Sequence, residues 1–176
     1  FEAINIYSAL CAAKECANAD AVVVAMGPGQ AGTGTKYGFS GIEQGQAINA
    51  AYSLEGTPIL APRISFSDLR RRHQGVSHHT MTVLEKIVLT RCIVVLPEMP
   101  WAKWNLIRAR FNTENLDRRH IIITECGVSA LQRLQRDEMD VTTMGRTIQE
   151  DPEFFLAPGA AGVYAGKLAL EMRACV

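Results

Sequence analysis

The chain has 176 residues, of which 48% are hydrophobic and 20% are charged, a balance typical of a globular domain and not of a disordered chain. Eighteen basic residues offset eighteen acidic ones, so no net field favours nucleic acid or a membrane, and we expect neither as a partner. No apolar run approaches the roughly 20 residues of a membrane span, and the five scattered cysteines indicate reduced thiols. These features together predict a cytoplasmic protein.

Apolar residues at helical spacing predict a first helix over residues 1–18. The pattern is already under way at Phe1, and no methionine precedes it. We therefore interpret residues 1–176 as a single α/β domain that is a fragment of a longer protein with missing N-terminal elements. A processed or renumbered N-terminus is the alternative.

Short apolar runs alternate with helical patterns along the rest of the chain, which predicts parallel strands joined by crossover helices. The predicted strands are Ala21–Met26, Pro58–Pro62, Cys92–Pro97, His120–Glu125 and the weaker Met139–Met144. One predicted helix ends at Leu54, and three others cover residues 77–89, 127–135 and 159–173. A further helix is predicted from the apolar stripe Trp101, Trp104, Ile107 and Phe111. This order predicts a Rossmann-like three-layer α/β/α sandwich with a mostly parallel sheet of about five strands.

A glycine-rich stretch, Gly27–Gly45, follows the first predicted strand. A strand that breaks into glycines and restarts as a helix leaves N–H groups that can bind an anion. The predicted ligand-binding residues are therefore Gly32, Thr33, Gly34, Thr35 and Lys36, together with Arg63 after the second strand. The stretch matches neither standard phosphate-binding pattern closely, and a flexible turn that allows close packing is the alternative.

Three histidines lie within seven residues in the segment HQGVSHH, at His73, His78 and His79. Adjacent side chains on a helix diverge by about 100°, so His78 and His79 are not expected to grip one ion together. His73 with either of them, plus Asp68 or a remote glutamate, could do so. We predict that His73, His78, His79 and Asp68 act in catalysis or ligation; helix capping and loop bracing are the alternative. The sequence names no metal or cofactor.

The remaining candidates have simpler interpretations. His120 begins a strand and is expected to be structural, and the tryptophan stripe is expected to form core or a subunit interface. Arg70, Arg71 and Arg72 could clamp an anion with Arg63, or form a solvated loop. Glu98 and Glu125 end successive strands along the chain and could assist acid–base chemistry.

Three segments carry a resemblance: GTGTKYGFSGIEQG at Gly32–Gly45, APRISFSD at Ala61–Asp68 and HQGVSHHT at His73–Thr80. The chain resembles the C-terminal part of a bacterial family of uncharacterised proteins, the domain of unknown function 3866. The likeness extends from the opening FEAINIYSAL to the end of the third predicted strand at Pro97. It implies a longer parent protein with a β-rich segment upstream, and it supplies no activity or functional residue.

Two functional hypotheses follow. The first is a ligand-binding α/β domain, an enzyme acting on a small anionic metabolite that bears phosphate or carboxylate; a metal-dependent hydrolase using Glu98 or Glu125 is its sharper version. The second is a non-catalytic regulatory or assembly module, with the tryptophan stripe and the Ala-rich last helix serving a homo-oligomer.

Overall fold

Two small sheets organise the structure, a computed structural model that describes residues 2–27 and 29–174. The strands are β1 (Ile59–Leu60), β2 (Ile64–Ser65), β3 (Gly75–Val76), β4 (Ile93–Pro97) and β5 (Ile121–Glu125). Parallel pairing gives one sheet of order β1-β4-β5, and β2 pairs antiparallel with β3 in the other. Ile93 lies opposite both Ile59 and Ile121, so β4 is the central strand of the parallel sheet.

Seven α-helices surround these sheets within the described ranges. They are α1 (Ile6–Glu15), α2 (Glu43–Ser53), α3 (His78–Thr82), α4 (Trp101–Thr113), α5 (Leu116–Arg119), α6 (Val128–Arg136) and α7 (Pro152–Ala174). A π-helical turn, Val83–Ile87, continues α3 directly. No helix in the described residues is long and apolar enough to cross a membrane.

The two faces of β4 pack against different helices, because successive side chains of a strand alternate in direction. Val94 and Leu96 belong to a large core cluster with Ile107 and Phe111 of α4. Ile93 and Val95 pack against α7 through Ala160 and Ala161. All five residues of β4 are buried, which accounts for its continuous apolar sequence.

The α/β class is confirmed, whereas the predicted five-stranded three-layer sandwich is wrong. The run Ala21–Met26 forms no strand, and Val23 is 91% exposed. Met139–Met144 contributes only an isolated bridge between Thr143 and Arg146. Both segments have strand-like composition, but β-propensity reflects packing against neighbours, and neither run pairs with a neighbouring strand.

Several helix boundaries also differ from the predicted ones. Helix α1 begins at Ile6, where Asn5 and Ser8 form a capping box, and not at the first residue; Phe1 lies outside the described residues. Helix α7 begins at Pro152 and not at residue 159, and it runs through Pro158, a residue type that normally marks a helix boundary. On α4 the predicted stripe is split, since Ile107 and Phe111 are buried while Trp101 is 71% exposed.

His120 is structural, as predicted. Its buried ring donates from Nε2 to the carbonyl of Leu84 at 3.1 Å, and its Nδ1 lies 3.4 Å from the Cys92 sulfur. Burial raises the pKa of the Cys92 thiol to about 12.

This environment makes Cys92 inert in the folded protein. A thiolate is the reactive form of cysteine, so we expect an alkylating reagent at neutral pH to modify the exposed Cys11 and Cys16 and to leave Cys92 unmodified. Mass mapping after a short pulse, with and without denaturant, measures this. Rapid labelling of Cys92 without denaturant would contradict the buried arrangement.

Candidate functional site

The β2–β3 pair positions the histidine segment. Ile64 lies opposite Val76, and the Ser77 N–H donates to the carbonyl of Arg63 at 2.9 Å. Ser77 is then the N-cap of α3, with its Oγ accepting from the His79 N–H at 3.3 Å. His78 and His79 therefore occupy the first turn of the helix, and His73 comes from the 3-10 turn that precedes β3.

The structure brings all three histidine rings together. One ring nitrogen from each of His73, His78 and His79 lies within 4.8 Å of the other two. The ring centroids of His78 and His79 are 4.1 Å apart. The expectation that these neighbours diverge is wrong, since the His73 ring centroid lies 4.9 Å from that of His78 and 5.2 Å from that of His79.

Hydrogen bonds fix the tautomers of two of these rings. Arg72 Nε donates to His73 Nε2 at 3.3 Å, so the proton of that neutral ring is on Nδ1, which donates to Ser77 Oγ at 2.9 Å. His79 Nδ1 lies 3.0 Å from the acceptor Oε1 of Gln30 and donates to it. The Nε2 atoms of His73 and His79 consequently carry lone pairs. His78 Nε2 is buried with no hydrogen-bond partner among the described residues.

The rings are neutral at physiological pH. Burial is the main cause that lowers the pKa of His73 to about 4 and that of His79 to about 4, and it also lowers the pKa of His78. Neighbouring arginines, Arg63, Arg70 and Arg72, add to the effect because a nearby positive charge disfavours imidazolium.

The glycine-rich stretch contacts this cluster, although it forms no strand–helix phosphate loop. Gln30 of this stretch accepts the hydrogen bond from His79, and the Phe39 ring stacks on the His79 ring with centroids 4.2 Å apart. Gly32 bridges to Phe39, and the Thr33 N–H donates to the Gly38 carbonyl. The segment therefore closes on itself, so that Gly34, Thr35 and Lys36 form its tip; Pro28 lies outside the described residues.

Asp68 is held by arginines. It is 2% exposed and accepts from Arg70 at 3.0 and 2.9 Å and from Arg63 at 3.2 Å. The hydrogen bonds from Arg70 hold the pKa of the Asp68 carboxyl well below its usual range. This arrangement favours bracing of the loop over proton transfer. It uses Nη2 of Arg63, whereas Arg63 Nη1 is buried without a hydrogen-bond partner among the described residues.

A second buried carboxylate extends this network to α7. Asp151, fully buried, accepts from Ser65 Oγ at 2.7 Å and from Arg146 Nε at 3.0 Å. Arg146 Nη2 lies 3.9 Å from Asp68. The pairing of Ser65 with Asp151 spans 86 positions in the chain, and no local pattern in the sequence indicates it.

A cleft of about 360 Å³ lies between the tip of the glycine-rich stretch and the histidine segment. That volume is in the range of small-molecule sites. Its lining includes three cations from separate elements, Lys36, Arg72 and Arg110, and also His78. The remaining lining residues are Gly34, Thr35, Met81, Thr82, Glu85 and Glu114.

Of the predicted ligand residues, Gly34, Thr35 and Lys36 line this cleft, whereas Gly32, Thr33 and Arg63 are not among its lining residues. Arg110 was not among the sequence predictions because it comes from α4, where it donates to the Val76 carbonyl. Glu125 pairs with Lys167 of α7 at 2.6 Å, and neither Glu125 nor Glu98 belongs to the histidine group.

The fold and this cleft define a mixed α/β protein with a cationic, histidine-containing candidate site. The chain belongs to the family described as "Protein of unknown function (DUF3866)", whose model matches residues 1–162. The match continues well beyond Pro97, where the recognised sequence likeness ended. No curated protein and no solved structure matches the chain.

Proposed function

We propose that the protein binds a small anionic metabolite, one that bears phosphate or carboxylate, in the cleft between Lys36 and Arg110, and that it acts on this metabolite as an enzyme. The observation that carries the proposal is the convergence of Lys36, Arg72 and Arg110 on one small cleft beside a neutral histidine, His78.

The arginines retain unused donors. Arg110 commits Nη1 to the Val76 carbonyl, and Arg72 commits Nε to His73. A guanidinium carries five N–H groups in a planar fork that matches carboxylate and phosphate oxygens, so each arginine can still bind an anion. Burial lowers the pKa of Arg110, which reflects a desolvated cation that an anionic ligand would stabilise.

Two glutamates moderate the charge of the cleft. Glu85 lies 3.8 Å from Lys36 and 2.5 Å from Lys86, so its charge is balanced locally. Glu114 is the other acidic lining residue. The three cations therefore exceed the two anions by a single charge, which favours a compact anion over a long polyanion.

The test is a calorimetric and thermal-shift panel of phosphate, pyrophosphate, nucleotides and small carboxylates. A ligand at a hundred times its dissociation constant should add about 2.7 kcal/mol to the free energy of unfolding. A charge-assisted hydrogen bond contributes about 1.5–3 kcal/mol, so we expect Arg72→Ala and Lys36→Ala each to weaken the best ligand about tenfold or more.

Arg71→Ala is the matched control, because Arg71 is the exposed neighbour of Arg72 and is not a lining residue of the cleft. Equal affinity in all three variants and the parent would refute the proposed location.

An assembly module is the second candidate, and one observation favours it. Trp101 and Leu106 of α4 are 71% and 66% exposed, and the Trp101 ring stacks on Trp104 at 5.2 Å. Aromatic side chains such as this exposed pair are enriched at protein–protein interfaces. No response to the anion panel, together with a mass that rises with concentration in sedimentation, would favour this function.

A further inference from the structure

The three imidazoles face one another beside the cleft, and binding of an anion by cations does not explain their convergence. We propose that His73, His78 and His79 hold one divalent transition-metal ion, of the kind that prefers imidazole ligands, with Zn²⁺ as the leading candidate.

The spacing fits such an ion after small side-chain rotations. Tetrahedral Zn²⁺ with Zn–N distances of about 2.0–2.1 Å needs ligand nitrogens about 3.4 Å apart. The three nitrogens lie within 4.8 Å of one another, so the largest adjustment is about 1.4 Å. His78 supplies an independent indication, since its Nε2 is buried without a partner among the described residues, and buried polar atoms in native proteins are almost always satisfied.

The hydrogen bonds that two of the rings make through their N–H groups are typical of histidines that bind a metal. His73 and His79 each donate Nδ1–H to an oxygen, of Ser77 and Gln30 respectively, which orients the ring and leaves its Nε2 unprotonated.

Arg72 occupies one of these lone pairs. Its Nε donates to His73 Nε2 at 3.3 Å, and the same side chain lines the cleft. A metal ion must displace this guanidinium, which is then free to bind an anion in the cleft. The metal and the anion are therefore expected to promote each other's binding, a coupling that rests on the proposed anion site.

Three protein ligands leave a fourth position open, an arrangement typical of catalytic and not of structural zinc sites. Since His78 both belongs to the cluster and lines the cleft, the open position adjoins the space assigned to the anion. A water or an oxygen of the anion can occupy it.

The experiment uses the chelator-treated full chain and Co²⁺ in a buffer without phosphate or carboxylate. We expect one Co²⁺ to bind per chain and to show the visible absorption of a four-coordinate site. In a separate measurement, X-ray absorption spectroscopy of the unsubstituted protein loaded with Zn²⁺ should detect three imidazole ligands. His78→Gln and His79→Gln should each weaken Co²⁺ binding at least about tenfold, which corresponds to about 1.4 kcal/mol. Arg71→Ala is the control and should leave Co²⁺ affinity unchanged.

Arg72→Ala is expected to have the opposite effect on Co²⁺ affinity. It removes both a competitor for His73 Nε2 and a nearby positive charge, so we expect Co²⁺ affinity to rise about tenfold, the equivalent of one lost hydrogen bond. The metal site would be refuted, without need of a variant, if Co²⁺ did not bind stoichiometrically to the unsubstituted protein. It would also be refuted if X-ray absorption detected fewer than two imidazoles bound to Zn²⁺.

The two proposals can fail separately. Phosphate titrated into the metal-free protein tests the anion site alone, and Co²⁺ in the anion-free buffer tests the metal site alone. Co²⁺ binding without any response to the anion panel refutes the anion site and keeps the metal. The reverse result refutes the metal and leaves the histidines as loop-bracing groups.

Discussion

Replacement of Asp68 by alanine is expected to lower the free energy of unfolding by about 3 kcal/mol at neutral pH. The carboxylate is 2% exposed and is the shared acceptor of Arg63 and Arg70. Removal of one partner from a buried ion pair leaves the other charge uncompensated, a change that costs about 3–5 kcal/mol. We choose the lower end because the Arg70 side chain is 45% exposed. Chemical denaturation at pH 7 measures the loss.

The same measurement at low pH tests the electrostatic origin of the effect. The folded-state pKa of Asp68 lies below its unfolded value, so its stabilising contribution is fully present above about pH 4, the unfolded pKa. It is lost progressively as the pH falls through the folded pKa. The difference in the free energy of unfolding between the unsubstituted protein and Asp68→Asn should therefore narrow as the pH falls from about 4 towards about 2.

Asp137→Ala is the matched control for Asp68→Ala. Asp137 pairs with Arg133 on the surface of α6, where the Arg133 side chain is 70% exposed, and such pairs contribute at most about 0.5 kcal/mol. A loss for Asp68→Ala no larger than that of Asp137→Ala would show that the buried arginine network does not stabilise the fold.

Replacement of Gly127 by alanine is expected to destabilise the protein by about 3 kcal/mol through a steric clash. A Cβ on Gly127 would lie 2.4 Å from the Leu156 carbonyl oxygen and 2.9 Å from the Ala160 nitrogen. These are backbone atoms of α7 and cannot rotate away, so the cost falls at the upper end of the usual range of about 1–3 kcal/mol for overpacking. The φ of Gly127 is −95°, so the effect is one of space and not of backbone strain.

Gly162→Ala is the control of opposite sign. Gly162 lies on α7, and among the described residues no atom outside its own turn of helix lies within 4 Å of the position that the alanine methyl group would occupy. Alanine is favoured over glycine inside a helix by about 0.5–1 kcal/mol. We expect a small gain in melting temperature for Gly162→Ala and a large loss for Gly127→Ala. Equal stability of the two variants would contradict the close contact between α6 and α7.

The sequence was informative where an apolar run pairs with a neighbouring strand along its whole length. β4 and β5 were predicted within a residue or two because every side chain of β4 packs against a helix or the adjacent strand. The run Ala21–Met26 is likewise apolar and rich in β-branched residues, yet it forms no strand, since composition alone cannot report whether a neighbouring strand is present. Helix α7 was truncated in prediction because Pro158 normally marks a helix boundary.

The close spacing of the three histidines in the sequence indicated a candidate site, but it could not show which residues surround them in the fold. It misjudged His78 and His79, since the angle between adjacent positions of a helix does not fix where two flexible side chains place their rings. It also could not find Arg110 or Asp151, because their contacts with Val76 and Ser65 cross 34 and 86 positions of sequence. Such contacts depend on how elements pack, and no window along the chain contains them.

The unpaired run Ala21–Met26 has a consequence for the behaviour of the protein in concentrated solution. Val22, Val23 and Val24 are 45%, 91% and 51% exposed. An uncharged, β-branched six-residue segment without proline has the composition of segments that stack into cross-β assemblies. Self-association is therefore expected to begin here, and a lysine at position 23 would act as a gatekeeper at little cost to the core, because the Val23 side chain contributes almost nothing to it.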